Sequence, residues 1–173
     1  MTSFEILISL VSISVILLGG FFLLSFIMRS KDKNIVIEKV QEQFPDRQIV
    51  YHNEQNVYQM KIETEDEYFL IKVIYFNPNH ELIITNPNYW CINQNIKNWK
   101  RSSTPTLVEG VRKFQQEIVD TEKKVIKVAI IYPDCYNITR YINESDVELV
   151  NYKKSAIGVY FVKFNEIDLF FKN

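Results

Sequence analysis

Glycine is nearly absent: the 173 residues hold four. Gly19 and Gly20 adjoin inside an apolar run, so only Gly110 and Gly158 serve the rest of the chain. Glycine-rich phosphate loops, whose backbone must approach a phosphate closely, are thereby excluded. Histidine is just as scarce, and His52 and His80 alone provide no zinc-ligand spacing. Cys91 and Cys135 read as small buried hydrophobes rather than a disulfide, because a chain this long needs no covalent staple. There is no internal repeat and no low-complexity tract. These absences leave no signature for a cofactor or a resident metal, and none is assigned.

Charge is also missing from one long stretch. Nothing between Glu5 and Arg29 is ionisable, and Leu, Ile, Val and Phe dominate there. At about 1.5 Å per residue, a helix from Ile6 to Met28 would be long enough for a hydrocarbon core of about 30 Å. A cleaved signal peptide would need basic residues ahead of the run and small residues after it. The flanks here are Met1 to Glu5 and Phe26-Ile27-Met28. The expectation is a single-pass membrane protein, with residues 1–5 a short external tail and 6–28 a transmembrane helix. Residues 29–33 would form a basic juxtamembrane segment. Arg29, Lys31 and Lys33 flank only the C-terminal end, which by the positive-inside rule places residues 34–173 in the cytoplasm.

Those 140 or so residues suit one domain. Asn34 to Phe44 has helical spacing, with Ile37, Val40 and Phe44 on one face and Pro45 as its stop. Tyr58 to Glu63 alternates as a strand with one wet face, and Tyr68 to Phe76 is apolar apart from Lys72, as a central strand would be. Asn77-Pro78-Asn79-His80 is a turn by composition, Glu81 to Thr85 a third strand, and Tyr89 to Ile92 an extension of the meander. Thr104-Pro105 opens a predicted helix carrying Leu107, Val111, Phe114 and Ile118 on one face, with Thr106 and Glu109 spaced as a capping box. Val125 to Tyr132 reads as a further strand. A short helix is predicted at Ile138 to Ile142, strands at Val147 to Val150 and Gly158 to Phe164, and a closing helix from Asn165. The predicted fold class is α+β with a mixed sheet.

The order α-β-β-β-α-β over roughly Asn34 to Pro133 resembles the restriction-endonuclease-like fold of the PD-(D/E)XK nucleases. A membrane helix ahead of such a domain is similar to the arrangement in some bacterial proteins with a nuclease-related domain. The resemblance implies an Asp on one strand and a Glu-x-Lys on the next, holding a divalent metal beside a lysine. Lys72 falls where that lysine would, but the position two before it is Leu70. The literal Glu122-Lys123-Lys124 lies at a predicted helix end. On this resemblance the nuclease site is degenerate.

Lys72 is the one candidate for catalysis, since a buried lysine with a depressed pKa serves chemistry. Its alternative is a lysine near a sheet edge whose stem packs while the ammonium reaches water. Glu63, Glu65, Asp66 and Glu67 read either as a cation cluster or as a solvated loop. Cys91 with His80 would make a thiol–imidazole pair only if the fold joined them. Lys97, Trp99, Lys100 and Arg101 form a basic cluster around an aromatic ring, suited to phosphates or an anionic lipid surface, or else a loop with a packed tryptophan. The functional expectation is a membrane-anchored, non-catalytic domain binding a protein partner or the membrane surface, its partners being the bilayer through Ile6 to Met28 and an anionic lipid or protein. The alternative is a nucleic-acid-processing enzyme or degenerate nuclease, for which the partner would be nucleic acid.

Overall fold

The computed structural model describes residues 31–47, 49–52, 57–75, 77–93, 105–143 and 145–172. It divides into two compact units, Met1–Glu38 and Lys39–Asn173. In the first, residues 31–38 are described and are helical. The second starts with helical residues 39–41 and carries the strands described below.

The membrane reading is corrected here. No helix among the described residues is long and apolar enough to cross a membrane. The described helical residues of the first unit, 31–38, include Lys31, Asp32, Lys33 and Glu38. Residues 1–5 and Ile6 to Met28 lie outside the described residues. Single-pass topology, the bilayer as a partner, and the cytoplasmic placement inferred from Arg29, Lys31 and Lys33 are therefore not carried further.

The second unit is an α+β fold built on two five-stranded mixed sheets. The first sheet contains β1 (Val50–Tyr51), β2 (Met60–Glu63), β3 (Glu67–Tyr75), β7 (Lys124–Tyr132) and β10 (Val159–Lys163), in the order β1-β2-β3-β7-β10. β2 runs antiparallel to β3, while β7 runs parallel to both β3 and β10. The second sheet contains β4 (Glu81–Asn86), β5 (Tyr89–Asn93), β6 (Thr106–Leu107), β8 (Ile138–Tyr141) and β9 (Val147–Leu149), in the order β6-β5-β4-β8-β9. Helix α1 (Val111–Gln116) follows β6, and the chain closes with a 3₁₀ turn at Phe164–Glu166 and helix α2 (Ile167–Phe171).

Alternation along β3 sorts its side chains between two apolar layers. Leu70 and Ile74 join Ala129, Ile131, Val159 and Phe161 of the same sheet against Leu82, Ile84, Trp90 and Ile138 of the other, with Val111 and Phe114 of α1 packed beside them. Trp90 is fully buried, its ring 4.8 Å from Phe161 and 6.2 Å from Phe114. On the opposite face Phe69 meets Phe44 at 5.7 Å and Phe171 at 5.5 Å. Asp168 fixes α2 there by accepting from Lys39 Nζ at 2.6 Å and from Gln43 Nε2 at 2.7 Å.

Three predicted elements differ from the structure. The meander is split: β3 takes β7 as its second neighbour along all nine residues, so Glu81–Asn86 pairs in the other sheet instead. The helix predicted from Thr104 is shortened to Val111–Gln116, because Thr106 and Leu107 bond to Ile92 and Cys91 as β6. Ile118, assigned to its buried face, is 90% exposed. The helix predicted at Ile138 to Ile142 is strand β8, whose β-branched and aromatic residues suit a place between β4 and β9.

A tight turn leads into β10. Ala156 and Val159 exchange backbone hydrogen bonds at 2.9 and 3.0 Å around Ile157 (φ 52°) and Gly158 (φ 79°). Positive φ at both central positions gives the twist that a two-residue connection requires. A methyl group added at Gly158 would meet no atom within 4 Å, so its cost there is purely conformational. Gly158→Ala should destabilise the fold by about 1–2 kcal/mol, read as a lower urea midpoint with an unchanged m-value.

Candidate functional site

A cleft of about 530 Å³ opens beside α2 on the helix-covered face of the first sheet. Phe69 on β3, Ile126 on β7 and Tyr160 on β10 form its floor. β3 and β7 bring the first two together directly, Phe69 standing opposite Ile126. Phe44 and Phe171, 4.9 Å apart and edge to face, supply one wall. Phe170, 5.3 Å from Tyr160, and Tyr152 complete the aromatic lining. The Asp168 clamp presents Phe170 and Phe171 together, and that hydrogen bond raises the pKa of Lys39 above its ordinary value.

The rim of the cleft is charged. Lys124 Nζ sits 2.9 Å from Glu67, and that contact raises the lysine's pKa. Lys153 is exposed, its Nζ 5.9 Å from the centre of the Tyr152 ring, and has no carboxylate partner among the described residues. The arrangement suits an apolar or aromatic group with a negative charge beside it. Sequence reasoning missed this cleft entirely. Its aromatic residues come from separate segments around positions 44, 69, 152, 160 and 170, and no local periodicity links them.

Lys72 lies on the other face of β3, between Leu70 and Ile74, and is only 3% exposed. The edge-lysine alternative is corrected, since β3 is the middle strand of its sheet. Lys72 lies at an open groove of about 210 Å³ lined also by Gln59, Tyr75, Ile92, Leu107, Val108 and Glu109. Its Nζ donates to the Val57 carbonyl at 3.4 Å. Gln59 Oε1 accepts from the Val73 amide at 2.7 Å, which fixes that wall. Burial pulls the lysine's pKa down to about 8, and the Glu109 carboxylate partly opposes that shift. The residue two before it, Leu70, is fully buried in the core. Among the described residues no group of three or more His, Cys, Asp or Glu could hold a metal ion.

The remaining predicted sites are dispersed. Glu63 pairs with Lys123 at 2.7 Å, a contact that lowers its pKa, and Glu67 pairs with Lys124, so lysines next to and at the start of β7 answer both carboxylates. Lys123 and Lys124 of the literal Glu-x-Lys are engaged in those pairs. Cys91 stands opposite Ile83 rather than His80, and burial pushes its thiol pKa up. Cys135 is likewise buried and unbridged, its pKa pushed up to about 11. Neither cysteine is poised as a thiolate. Lys97, Trp99, Lys100 and Arg101 lie outside the described residues.

The Lys72 geometry sets a pH dependence of stability. Below about pH 8 the lysine is charged in both folded and unfolded chains, and the folded state bears the full cost of burying it. Between pH 8 and the ordinary lysine value the unfolded chain binds more protons, so stability rises with pH in that window. At about 1.4 kcal/mol per unit the rise is on the order of 3 kcal/mol. Urea denaturation of the native chain and Lys72→Met should show a gap that changes by this order between pH 7.5 and pH 10.5. A constant gap would mean that Lys72 is not desolvated.

No family model, no curated protein and no solved structure matches this chain.

Proposed function

We propose that this chain is a non-catalytic binding domain, and that its aromatic cleft takes an aromatic or aliphatic side chain of a protein partner next to an acidic residue. The carrying observation is the cleft of about 530 Å³ with Phe44, Phe69, Tyr152, Tyr160, Phe170 and Phe171 around it. Aromatic pockets of this kind anchor the few side chains that dominate protein–protein affinity. The acidic neighbour follows from charge complementarity with Lys153 at the rim, because Glu67 already answers Lys124. Against catalysis, both thiols are buried, and the paired carboxylates at 63 and 67 are bound to lysines rather than free to converge.

Selection of phage-displayed random heptapeptides on the intact chain tests this reading. Enriched peptides should share one aromatic or large aliphatic residue with Asp or Glu within two positions. Lys153→Glu lies on an exposed turn and should keep the fold while turning the charge preference toward Lys and Arg. Phe170→Ala should weaken the selected peptides at least tenfold by fluorescence anisotropy. Selection without an aromatic–acidic pattern, or binding indifferent to both substitutions, would refute the proposal.

A further inference from the structure

Ile118 is 90% exposed, more than any other large hydrophobic side chain among the described residues. It stands in the stretch joining α1 to β7, where the backbone leaves the helix extended at Glu117 (φ −61°, ψ 124°). Val119 packs against the core, and alternation along an extended chain turns its neighbour Ile118 outward. At the far end of the loop Thr121 Oγ1 accepts from the Lys123 amide at 3.2 Å. The loop thus holds an aliphatic side chain out in water at a fixed place, against the hydrophobic preference.

Its flanks are acidic. Glu117 precedes Ile118, Asp120 and Glu122 follow it, and none of the three forms an ion pair among the described residues. Other exposed apolar residues with an acidic neighbour differ in this respect. Glu148 beside Leu149 is answered by Arg140 and Lys154, and Asp168 beside Leu169 by Lys39. An aliphatic residue with unanswered acids within two positions is the ligand that suits the aromatic cleft and its rim cation, Lys153.

The loop is kept from the cleft of its own chain. Ile118 borders Val125, Lys127 and Gly158, and the first two alternate along β7 with Ile126, which lies on the cleft floor. Loop and cleft are therefore on opposite faces of the first sheet. We propose that the partner of the cleft is a second copy of this chain, which seats Ile118 on the floor of Phe69, Ile126 and Tyr160 with Glu117 and Asp120 beside Lys153. This rests on the cleft reading above and names its partner. Each copy offers one loop and one cleft, so the contact is head-to-tail and leaves a loop at one end and a cleft at the other until a ring closes.

Sedimentation velocity of the intact chain tests this. The weight-average mass should rise with concentration and fall as salt screens Lys153 from the acids. Ile118→Ser, at so exposed a position, should keep the fold while disabling the loop. Phe170→Ala removes part of the cleft lining, and Lys153→Glu on its exposed turn is a second cleft variant. Each variant alone should self-associate about tenfold more weakly or not at all. An equimolar mixture of Ile118→Ser with either cleft variant should form 1:1 complexes and nothing larger, because the pair retains one working loop and one working cleft. Residues 1–30 are common to every variant, so association through them would be the same in all. A mass independent of concentration, association that Ile118→Ser leaves unchanged, or mixtures that form no 1:1 complex would overturn the proposal. Peptide selection tells the two failures apart: a shared hydrophobic–acidic pattern without self-association removes this partner alone, whereas selection with no pattern removes the cleft reading as well.

Discussion

Strand β3 is hydrogen-bonded along both edges, antiparallel to β2 and parallel to β7 over all nine of its residues. Parallel pairing of that length demands a covered strand on each face, since the backbone and both sets of side chains must leave water together. The chain meets that demand with different partners on the two sides. Phe44 and α2 cover Phe69, while the second sheet and α1 cover Leu70 and Ile74. With both edges of β3 taken, β4 has no place beside it. It nucleates the second by pairing with β5 and, in parallel, with β8. Of the four edge strands, β1, β6 and β9 are two or three residues long, too short to template association, while β10 runs for five, Val159–Lys163.

The local signals were legible where one residue type decided the matter. The run from Tyr68, apolar apart from Lys72, announced a strand covered on both faces, and strands at Val125 to Tyr132 and Gly158 to Phe164 were legible too. Pairing was not legible, because a turn such as Asn77-Pro78-Asn79-His80 closes a hairpin or redirects the chain to a new sheet equally well. Here Asn79 N donates to Asn77 Oδ1 at 3.1 Å, a contact local to the turn. At Thr106 the capping-box spacing and a strand pairing competed. Two ladder positions opposite Cys91 and Ile92 prevailed, and the helix began only after Gly110 turned the backbone at φ 71°. Of the candidate sites, Lys72 stood out by interrupting an apolar run. The aromatic cleft could not stand out, since it exists only once β10 and α2 return beside β3.

Lys72 runs against the general economy of the core. A methionine would fill much the same volume without the cost of desolvating a charge. The Val57 carbonyl at 3.4 Å is among its partners, and the field of Glu109 opposes the fall in its pKa without reversing it. An ion pair built for stability would show a compensated lysine, as Lys39 does beside Asp168, where the pKa is raised instead. The opposite signs of these two shifts separate a lysine that braces helix α2 from one whose charge is disfavoured by burial.

The two sites share a strand but face opposite ways, and this limits how they can communicate. Phe69 and Lys72 differ by an odd number of positions, so β3 sends one side chain to the cleft and the other to the groove. Coupling them would require β3 to adopt a second arrangement. A slip by one residue would carry Lys72 into the aromatic layer and Phe69 toward the second sheet, and the nine-residue register with β7 opposes it. With no alternative state of β3 to bias, occupancy of the cleft has no lever on the lysine, and substitutions at the two places should act additively.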